Sequence, residues 1–135
     1  MRWRRPLLLA ATLVVTAGCG NHALEQAQRR AVEEIGAQLP RPYRDGLVVE
    51  SVRRDGDDLV LVIRSADITV AMARARPEVF DALRADEQDA MLALCDEPAL
   101  APVRAAGGGA RRRFVDADGA VFFDATLKAS DCPSP

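Results

Sequence analysis

Apolar residues recur at intervals of three and four over residues 23–39. They are Leu24, Ala27, Ala31, Ile35 and Leu39. This spacing predicts an amphipathic helix whose polar side chains, among them Glu25, Gln28 and Arg29, face solvent. The helix is expected to end at Pro40, because proline lacks a backbone N–H and restricts the residue before it.

Two apolar runs then flank a turn sequence. Residues 47–54 and 59–64 are joined by Asp55-Gly56-Asp57-Asp58, and an Asp-Gly pair between β-branched runs is a strong hairpin signal. The run from Leu59 to Ile63 is apolar at every position. Such a run is typical of a central strand that is covered on both faces.

The middle of the chain predicts helices. Residues 68–72 either extend the second strand or begin a helix, and the pattern leaves both readings open. Pro77 suits the first turn of a helix, and a second helix is expected to begin at Asp86. Two further prolines allow one short helix before Gly107-Gly108-Gly109. That triplet predicts a flexible loop without side chains to pack.

The last part of the chain predicts a second hairpin, in which residues 111–115 and 120–127 are joined by Asp116-Ala117-Asp118-Gly119. It holds three of the four phenylalanines, so it should supply much of the core. The resulting order is α-β-β-α-α-β-β. This order predicts one small α+β domain over residues 23–135, with an antiparallel sheet packed by helices.

The N-terminus has a different pattern. Three arginines precede the uncharged apolar run Leu7–Val15, which is shorter than the ~20 residues that a membrane span needs. The run leads to Ala17-Gly18-Cys19, which resembles the lipobox of bacterial lipoproteins. The resemblance implies that residues 1–18 are a cleaved signal peptide. It also implies that Cys19 is acylated on sulfur and that residues 19–22 form a lipidated tether to a membrane.

The residue after Cys19 bears on which membrane would hold the protein. Gly20 stands where an aspartate would, by resemblance to enterobacterial lipoproteins, signal retention in the inner membrane. Its presence favours the outer membrane and a domain that faces the periplasm.

Without the three leader arginines, the chain has 15 basic and 20 acidic residues, which is a net charge of about −5. An acidic chain argues against nucleic acid as a partner, since phosphate contacts need a basic surface.

The three cysteines divide into one and two. With the lipid on Cys19, Cys95 and Cys132 remain in an oxidising compartment, where a disulfide between them is expected. Two separate thiols are the alternative. Zinc binding is a weaker one, because no histidine lies near either cysteine.

The sequence predicts no catalytic site, no metal site and no cofactor. The single histidine, His22, lies in the expected tether, away from any nucleophile. The paired carboxylates fall at turns or helix starts, and Asp116 with Asp118 lacks the rest of a calcium loop. The chain is therefore not expected to be an enzyme.

Arg111-Arg112-Arg113 is the sharpest run of charge. On a strand, Arg111 and Arg113 share one face and Arg112 lies on the other. One interpretation is a contact with an anionic surface, such as lipid headgroups, lipid A phosphates or an acidic partner. The other, which we favour, is a solvated strand whose charges resist pairing at a sheet edge.

The order of elements resembles that of small Gram-negative envelope domains of unknown function. The matching positions are Leu39-Pro40, Cys95, Asp116 to Gly119, and Cys132. The resemblance implies the same fold and the same disulfide, and it implies no activity.

These observations favour a membrane-anchored periplasmic lipoprotein that acts as a non-enzymatic accessory or binding module for an unidentified envelope protein. One alternative is a pilotin-like escort of an outer-membrane assembly, which predicts an exposed groove or sheet edge able to hold a peptide. Another is an inhibitor or immunity-type lipoprotein. A hydrolase would need a deep pocket containing two carboxylates with opposed pKa shifts.

Overall fold

The computed structural model describes residues 19–134, which form a five-stranded sheet with helices packed against it. The α-helices are α1 (Cys19–Gly36), α2 (Val70–Arg74), α3 (Pro77–Ala90) and α4 (Ala101–Ala105). The 3-10 helices are Met91–Asp96, Pro98–Leu100 and Ala129–Asp131. The strands, in their order across the sheet, are β1 (Arg41–Pro42), β2 (Leu47–Asp55), β3 (Asp58–Ser65), β4 (Gly109–Val115) and β5 (Val121–Leu127).

The first helix forms as its apolar repeat predicts. Its core side chains are buried: Leu24, Ala27, Ala31 and Ile35. Helix α1 begins at Cys19, so the backbone of residues 19–22, the expected tether, is helical. The expected signal peptide, residues 1–18, lies outside the described residues.

The prediction that Gln28 faces solvent is wrong. The side chain is 1% exposed, because α1 packs across the turn of the first hairpin. Its Nε2 donates a hydrogen bond of 3.1 Å to the carbonyl oxygen of Gly56, and its Oε1 accepts one of 3.0 Å from Nε of Arg54. The buried amide therefore meets polar groups that the turn would otherwise leave without partners.

The first hairpin is confirmed, and β3 is the central strand of the sheet. Every residue from Leu59 to Ile63 is buried, as the uninterrupted apolar run predicts. Leu59, Leu61 and Ile63 join the main core beneath the helices, whereas Val60 and Val62 form a second cluster with Val115 on the other face. The sequence does not predict the edge strand β1, because Pro40 and Pro42 indicate only the end of a helix.

The second hairpin and the α+β class are also confirmed, but the sheet is mixed rather than wholly antiparallel. Strands β3 and β4 run parallel, with Leu59 opposite Ala110 and Ile63 opposite Phe114. The cause is the helical connection between them, which carries the chain back along the sheet before β4 begins. The other three strand pairs are antiparallel, as expected.

Two details between the hairpins differ from the prediction. A separate helix does not begin at Asp86, because α3 runs unbroken from Pro77 to Ala90 and leaves Asp86 exposed on its surface. The glycine triplet is not a loop throughout, since Gly109 is the first residue of β4 and Gly108 is buried. For residues 68–72, where the pattern leaves strand and helix open, the structure has the start of a helix, since α2 runs from Val70 to Arg74.

Cys95 and Cys132 are joined by a disulfide, with their Cα atoms 5.5 Å apart. The bond links the 3-10 helix that follows α3 to the segment that follows β5. Both cysteines are half-buried and pack against the main core. The disulfide thereby holds the helical connection between β3 and β4 against the end of the second hairpin.

Candidate docking groove

A groove of about 270 Å³ opens between α3 and the sheet. Its apolar lining comes mainly from α3 and the second hairpin: Leu47, Phe80, Leu83, Phe114, Phe122 and Phe123. A few polar side chains stand at its margin, among them Arg44, Asp45, Asp86 and Glu87. An apolar surface with a small number of placed polar groups is the usual make-up of a binding site.

The groove exists because the first half of α3 stands away from the core. Along that half and on to Asp86, every residue from Pro77 is exposed except Phe80, which is half-buried. The rings of Phe80 and Phe122 lie with their centroids 5.5 Å apart. Two further apolar side chains of the helix, Val79 and Leu83, are each 43% exposed. The helix therefore presents an apolar stripe that nothing in the described part of the chain covers.

The floor of the groove is aromatic and well packed. Phe114 on β4 is 4% exposed, and its ring centroid lies 4.8 Å from that of Phe123 on β5. The ring of Tyr43 meets Phe114 edge-on, at 6.2 Å between centroids. Offset and edge-to-face contacts of this kind fix the orientation of the rings. The floor is thus a preformed surface.

A buried carboxylate holds the second half of α3 in place. Glu87 is 5% exposed, accepts a 2.7 Å hydrogen bond from the hydroxyl of Tyr43, and forms an ion pair with Arg44. Burial, and next the bond to Glu87, raise the pKa of Tyr43 above its usual 10.0. The bond to Glu87 also raises the pKa of Arg44. We call these three residues the Glu87 clasp.

The margin beside the clasp is acidic. Asp45 precedes β2 in a tight turn, with φ of 47° followed by 78° at Gly46. Asp86 lies on α3, one residue before Glu87. Within residues 19–134, neither aspartate has a cationic nitrogen within 4.0 Å of its carboxylate.

The arginine run lies elsewhere. Arg111 pairs with Asp58 at 2.8 Å, and Arg113 forms two bonds of 2.9 Å with Asp124. The bond to Asp124 raises the pKa of Arg113. On the opposite face, the guanidinium of Arg112 lies 5.2 Å from the ring centroid of Tyr43. The three side chains alternate between faces, as the two-residue repeat of a strand requires.

This placement bears on both interpretations of the run. Resistance to edge pairing is wrong as an explanation, because β4 lies between β3 and β5 and is not an edge strand. Contact with an anionic surface stays a prediction. Any such surface would compete with the aspartates that already pair with Arg111 and Arg113.

Neither histidine nor cysteine is among the described residues that line the groove, and Oγ of Ser65, which does line it, accepts a bond of 3.2 Å from the N–H of Ile68. Across residues 19–134, no three potential His, Cys, Asp or Glu ligands come together in a way that would hold a metal ion. In the same part of the chain, no helix has the length and apolar character needed to cross a membrane. Asp116 accepts bonds from the N–H groups of Asp118 and Ala120, which is turn chemistry, and a third from the N–H of Val70 at the start of α2.

No sequence pattern marks Tyr43 or Asp45, and Asp86 and Glu87 stand out in the sequence only as paired carboxylates at an expected helix start. A signal was present on α3, where Phe80, Leu83 and Glu87 recur at helical spacing. Nothing local marks Tyr43, because its partner Glu87 lies 44 residues away.

Comparison with known proteins finds no matching family model and no matching curated protein. Among solved structures, a Pseudomonas aeruginosa protein provisionally designated as secreted matches with a TM-score of 0.64 and 15% identity, over 87% of this chain and 99% of that one. EpsS, the pilotin of the Vibrio vulnificus type 2 secretion system, matches with a TM-score of 0.53 and 17% identity, over 85% and 99%. AspS, the type II secretion pilotin of Vibrio cholerae, matches with a TM-score of 0.53 and 14% identity, over 85% and 100%.

Proposed function

We propose that this protein is a pilotin-like accessory lipoprotein of the cell envelope, which escorts a component of an outer-membrane assembly by holding an apolar segment of it. The observation that carries the proposal is the exposed groove between α3 and the second hairpin. The exposed Leu83 and the half-buried Phe122 both line it, in a domain with the fold of two pilotins. A preformed apolar groove of this kind suits the apolar face of an amphipathic helix.

Energetics favour an occupied groove. Leu83 and the half-buried Phe80, which both line the groove, leave apolar area in water, and covering such area is favourable by roughly 25 cal/mol per Å². An uncovered apolar patch rimmed by polar residues is a common mark of a protein interaction site. The groove therefore supplies both the driving force and the shape for docking.

The sheet edges are poorer candidates for holding a peptide. On one edge, β1 is two residues long and includes Pro42, which has no N–H to donate. On the other edge, the side-chain amide of Gln88 bonds both the N–H and the carbonyl of Thr126 in β5, at 3.0 and 2.7 Å. That amide takes the place of a neighbouring strand. Of the two modes predicted for an escort, the groove is favoured.

The anchor remains part of the proposal. Acylation at Cys19 would place the start of α1 at the membrane surface, and the groove would then face the periplasm. Intact mass and membrane fractionation of the wild type beside Cys19→Ser test this step. We expect an acylated chain that begins at Cys19 and a soluble variant. A wild-type chain without acyl mass would remove the anchor.

Docking in the groove is tested by a matched pair of exposed leucines. Leu83 lines the groove and is 43% exposed, whereas Leu92 is 56% exposed and lies outside it. A photo-crosslinking amino acid at position 83 should form a covalent adduct with a component of an outer-membrane assembly in living cells, and one at position 92 should not. Mass spectrometry identifies the adduct.

The same pair gives a functional readout. Leu83→Asp should reduce outer-membrane assembly of the crosslinked component at least about tenfold, because it would bury a charge against the docked segment. Leu92→Asp should leave assembly unchanged. Equal crosslinking from both positions, or equal assembly in both variants, would overturn the proposed function.

A further inference from the structure

We propose that the groove selects segments in which a lysine or arginine flanks the apolar residues, and that Asp45 and Asp86 recognise this cation. The inference rests on the proposed function, since it concerns the same groove. It adds the chemistry of the partner, which the apolar lining alone does not specify.

The lining of the groove carries more negative than positive charge. Three carboxylates line the groove, from Asp45, Asp86 and Glu87, against the single guanidinium of Arg44. Arg44 pairs with Glu87 in the clasp and also interacts with the charge of Asp45. Neither aspartate has a cationic nitrogen within 4.0 Å in the described part of the chain, so the margin of the groove keeps a net negative charge.

Both aspartates line the same groove, and each is next in sequence to a member of the Glu87 clasp. Asp45 follows Arg44 in the loop before β2, and Asp86 precedes Glu87 on α3. Because Arg44 and Glu87 are in contact, the clasp joins the two segments that carry the aspartates. A cation that docks beside the clasp would therefore meet negative charge from both segments.

The surroundings of the two aspartates are apolar in part and cationic in part. Phe80, Leu83 and Leu47 line the same groove, and apolar walls lower the local dielectric and focus the field of nearby charges. Two further guanidinium groups lie close by, those of Arg84 and Arg112. Each is placed over an aromatic ring, of Phe123 at 5.7 Å and of Tyr43 at 5.2 Å, and neither lines the groove.

Three synthetic helical peptides of about 16 residues test the inference, since shorter isolated helices are marginal in water. They share one apolar face of leucine and phenylalanine and carry lysine, glutamine or glutamate at one end. The full chain, as its host processes it, is reconstituted in phosphatidylcholine nanodiscs, with empty nanodiscs as the blank. Isothermal titration gives the three dissociation constants at low salt and again with added NaCl.

We expect the lysine peptide to bind about three- to tenfold more tightly than the glutamine peptide, which is the range for one or two partly exposed ion pairs. The glutamate peptide should bind least tightly. Added salt should remove the differences, because screening weakens exposed pairs. Asp45→Asn with Asp86→Asn should remove them too, and asparagine tolerates the positive φ at position 45. Asp57→Asn, exposed in the first hairpin turn, is the matched control and should change nothing.

The outcomes separate the two proposals. Equal affinity for the three peptides, lost together in Leu83→Asp, would overturn the charge selection and leave groove docking intact. Binding of none of the peptides would overturn both. Reversal of the preference toward the glutamate peptide in Asp45→Lys with Asp86→Lys would assign the selection to these two positions.

Discussion

The hydroxyl of Tyr43 donates a 2.7 Å hydrogen bond to Oε2 of Glu87, and this bond joins the loop before β2 to helix α3. The carboxylate is 5% exposed, so its charge depends on Tyr43 and Arg44 for compensation. A buried carboxylate that loses a partner is costly. The contact therefore fixes one end of the groove as well as stabilising the fold.

Tyr43→Phe should lower the free energy of unfolding by about 1.5–3 kcal/mol, the range for a hydrogen bond to a charged group. The substitution keeps the ring against Phe114 and removes only the hydroxyl. Urea unfolding at pH 7 measures the change. An unaltered midpoint would show that the hydroxyl contributes nothing to holding α3.

The same pair predicts a pH dependence. The pKa of Tyr43 is raised in the folded protein by burial and by Glu87, so the hydroxyl contributes fully below its unfolded value of about 10. The contribution is lost as pH rises through the higher folded pKa. The stability gap between wild type and Tyr43→Phe should therefore be constant at neutral pH and shrink in strong alkali. A gap that widened with alkali would contradict this.

Asp116→Asn should destabilise the second hairpin turn and α2. Burial alone would raise the pKa of Asp116, but N–H groups of Ala120, Val70 and Asp118 outweigh it and lower the pKa below 3.8. The carboxylate therefore stabilises the fold above its unfolded pKa, and this stability is lost as pH falls through the lower folded value.

Thermal unfolding of Asp116→Asn, wild type and Asp118→Asn at pH 7 and at pH 3 measures this effect. We expect a lower midpoint for Asp116→Asn at pH 7 and a smaller gap at pH 3. Asp118 is exposed in the same turn and serves as the control. A gap that did not change with pH would point to shape rather than charge at position 116.

The elements that the sequence predicts correctly are those encoded by a local pattern of residues. The 3.6-residue repeat of α1, the Asp-Gly turns and the unbroken apolar run of β3 each act over a few residues, and the structure contains each of them. The sequence wrongly predicts that Gln28 faces solvent, because the exposed face of a helix is inferred from its polar residues. The hydrogen-bond partner of Gln28, the carbonyl of Gly56, is 28 residues away. In the sequence, a glutamine whose amide is buried against a distant backbone group cannot be told from a glutamine on the surface.

The groove could not be predicted for the same reason. It depends on Tyr43 and Glu87, 44 residues apart, and on the parallel pairing of β3 with β4. That pairing follows from how the helices pack, and no turn sequence encodes it. Asp45 and Asp86 likewise line one groove only once the chain is folded.

Gly108→Ala tests another feature hidden from the sequence, since the triplet had been interpreted as a loop. A Cβ at position 108 would lie 2.5 Å from Cδ1 of Leu24, 2.8 Å from Cγ1 of Val103 and 2.9 Å from the carbonyl oxygen of Asp57. We expect a loss of about 1–3 kcal/mol, as for other overpacked cores. Chemical denaturation measures it.

Gly36→Ala is the control for that substitution. Its added Cβ would meet its nearest neighbour, Cγ1 of Val52, at 3.8 Å, an ordinary contact. Alanine also favours helix over glycine by roughly 0.5–1 kcal/mol. Equal or higher stability is expected. Similar losses in both variants would contradict the close packing at Gly108.

The disulfide should contribute strongly in so small a domain. Cys95 and Cys132 are separated by 37 residues, and closing a loop of that length stabilises by about 3–4 kcal/mol on the loop-entropy estimate. Cys95→Ala with Cys132→Ala should lower the unfolding midpoint accordingly, and reduced wild type should match the double variant. Two thiols that react with alkylating reagent in the native, unreduced protein would contradict the bond.

Gln88→Ala should open the edge of β5. The side-chain amide makes two bonds to Thr126, and their loss should cost about 1–2 kcal/mol and leave strand groups unpaired. Gln88→Glu keeps the acceptor for the Thr126 N–H but lacks a donor for the Thr126 carbonyl, so it should be intermediate. Sedimentation at rising concentration should show more self-association for Gln88→Ala than for wild type, because an open edge pairs with another chain. Unchanged association would mean that α3 itself shields the edge, and it would leave the groove as the surface that governs docking.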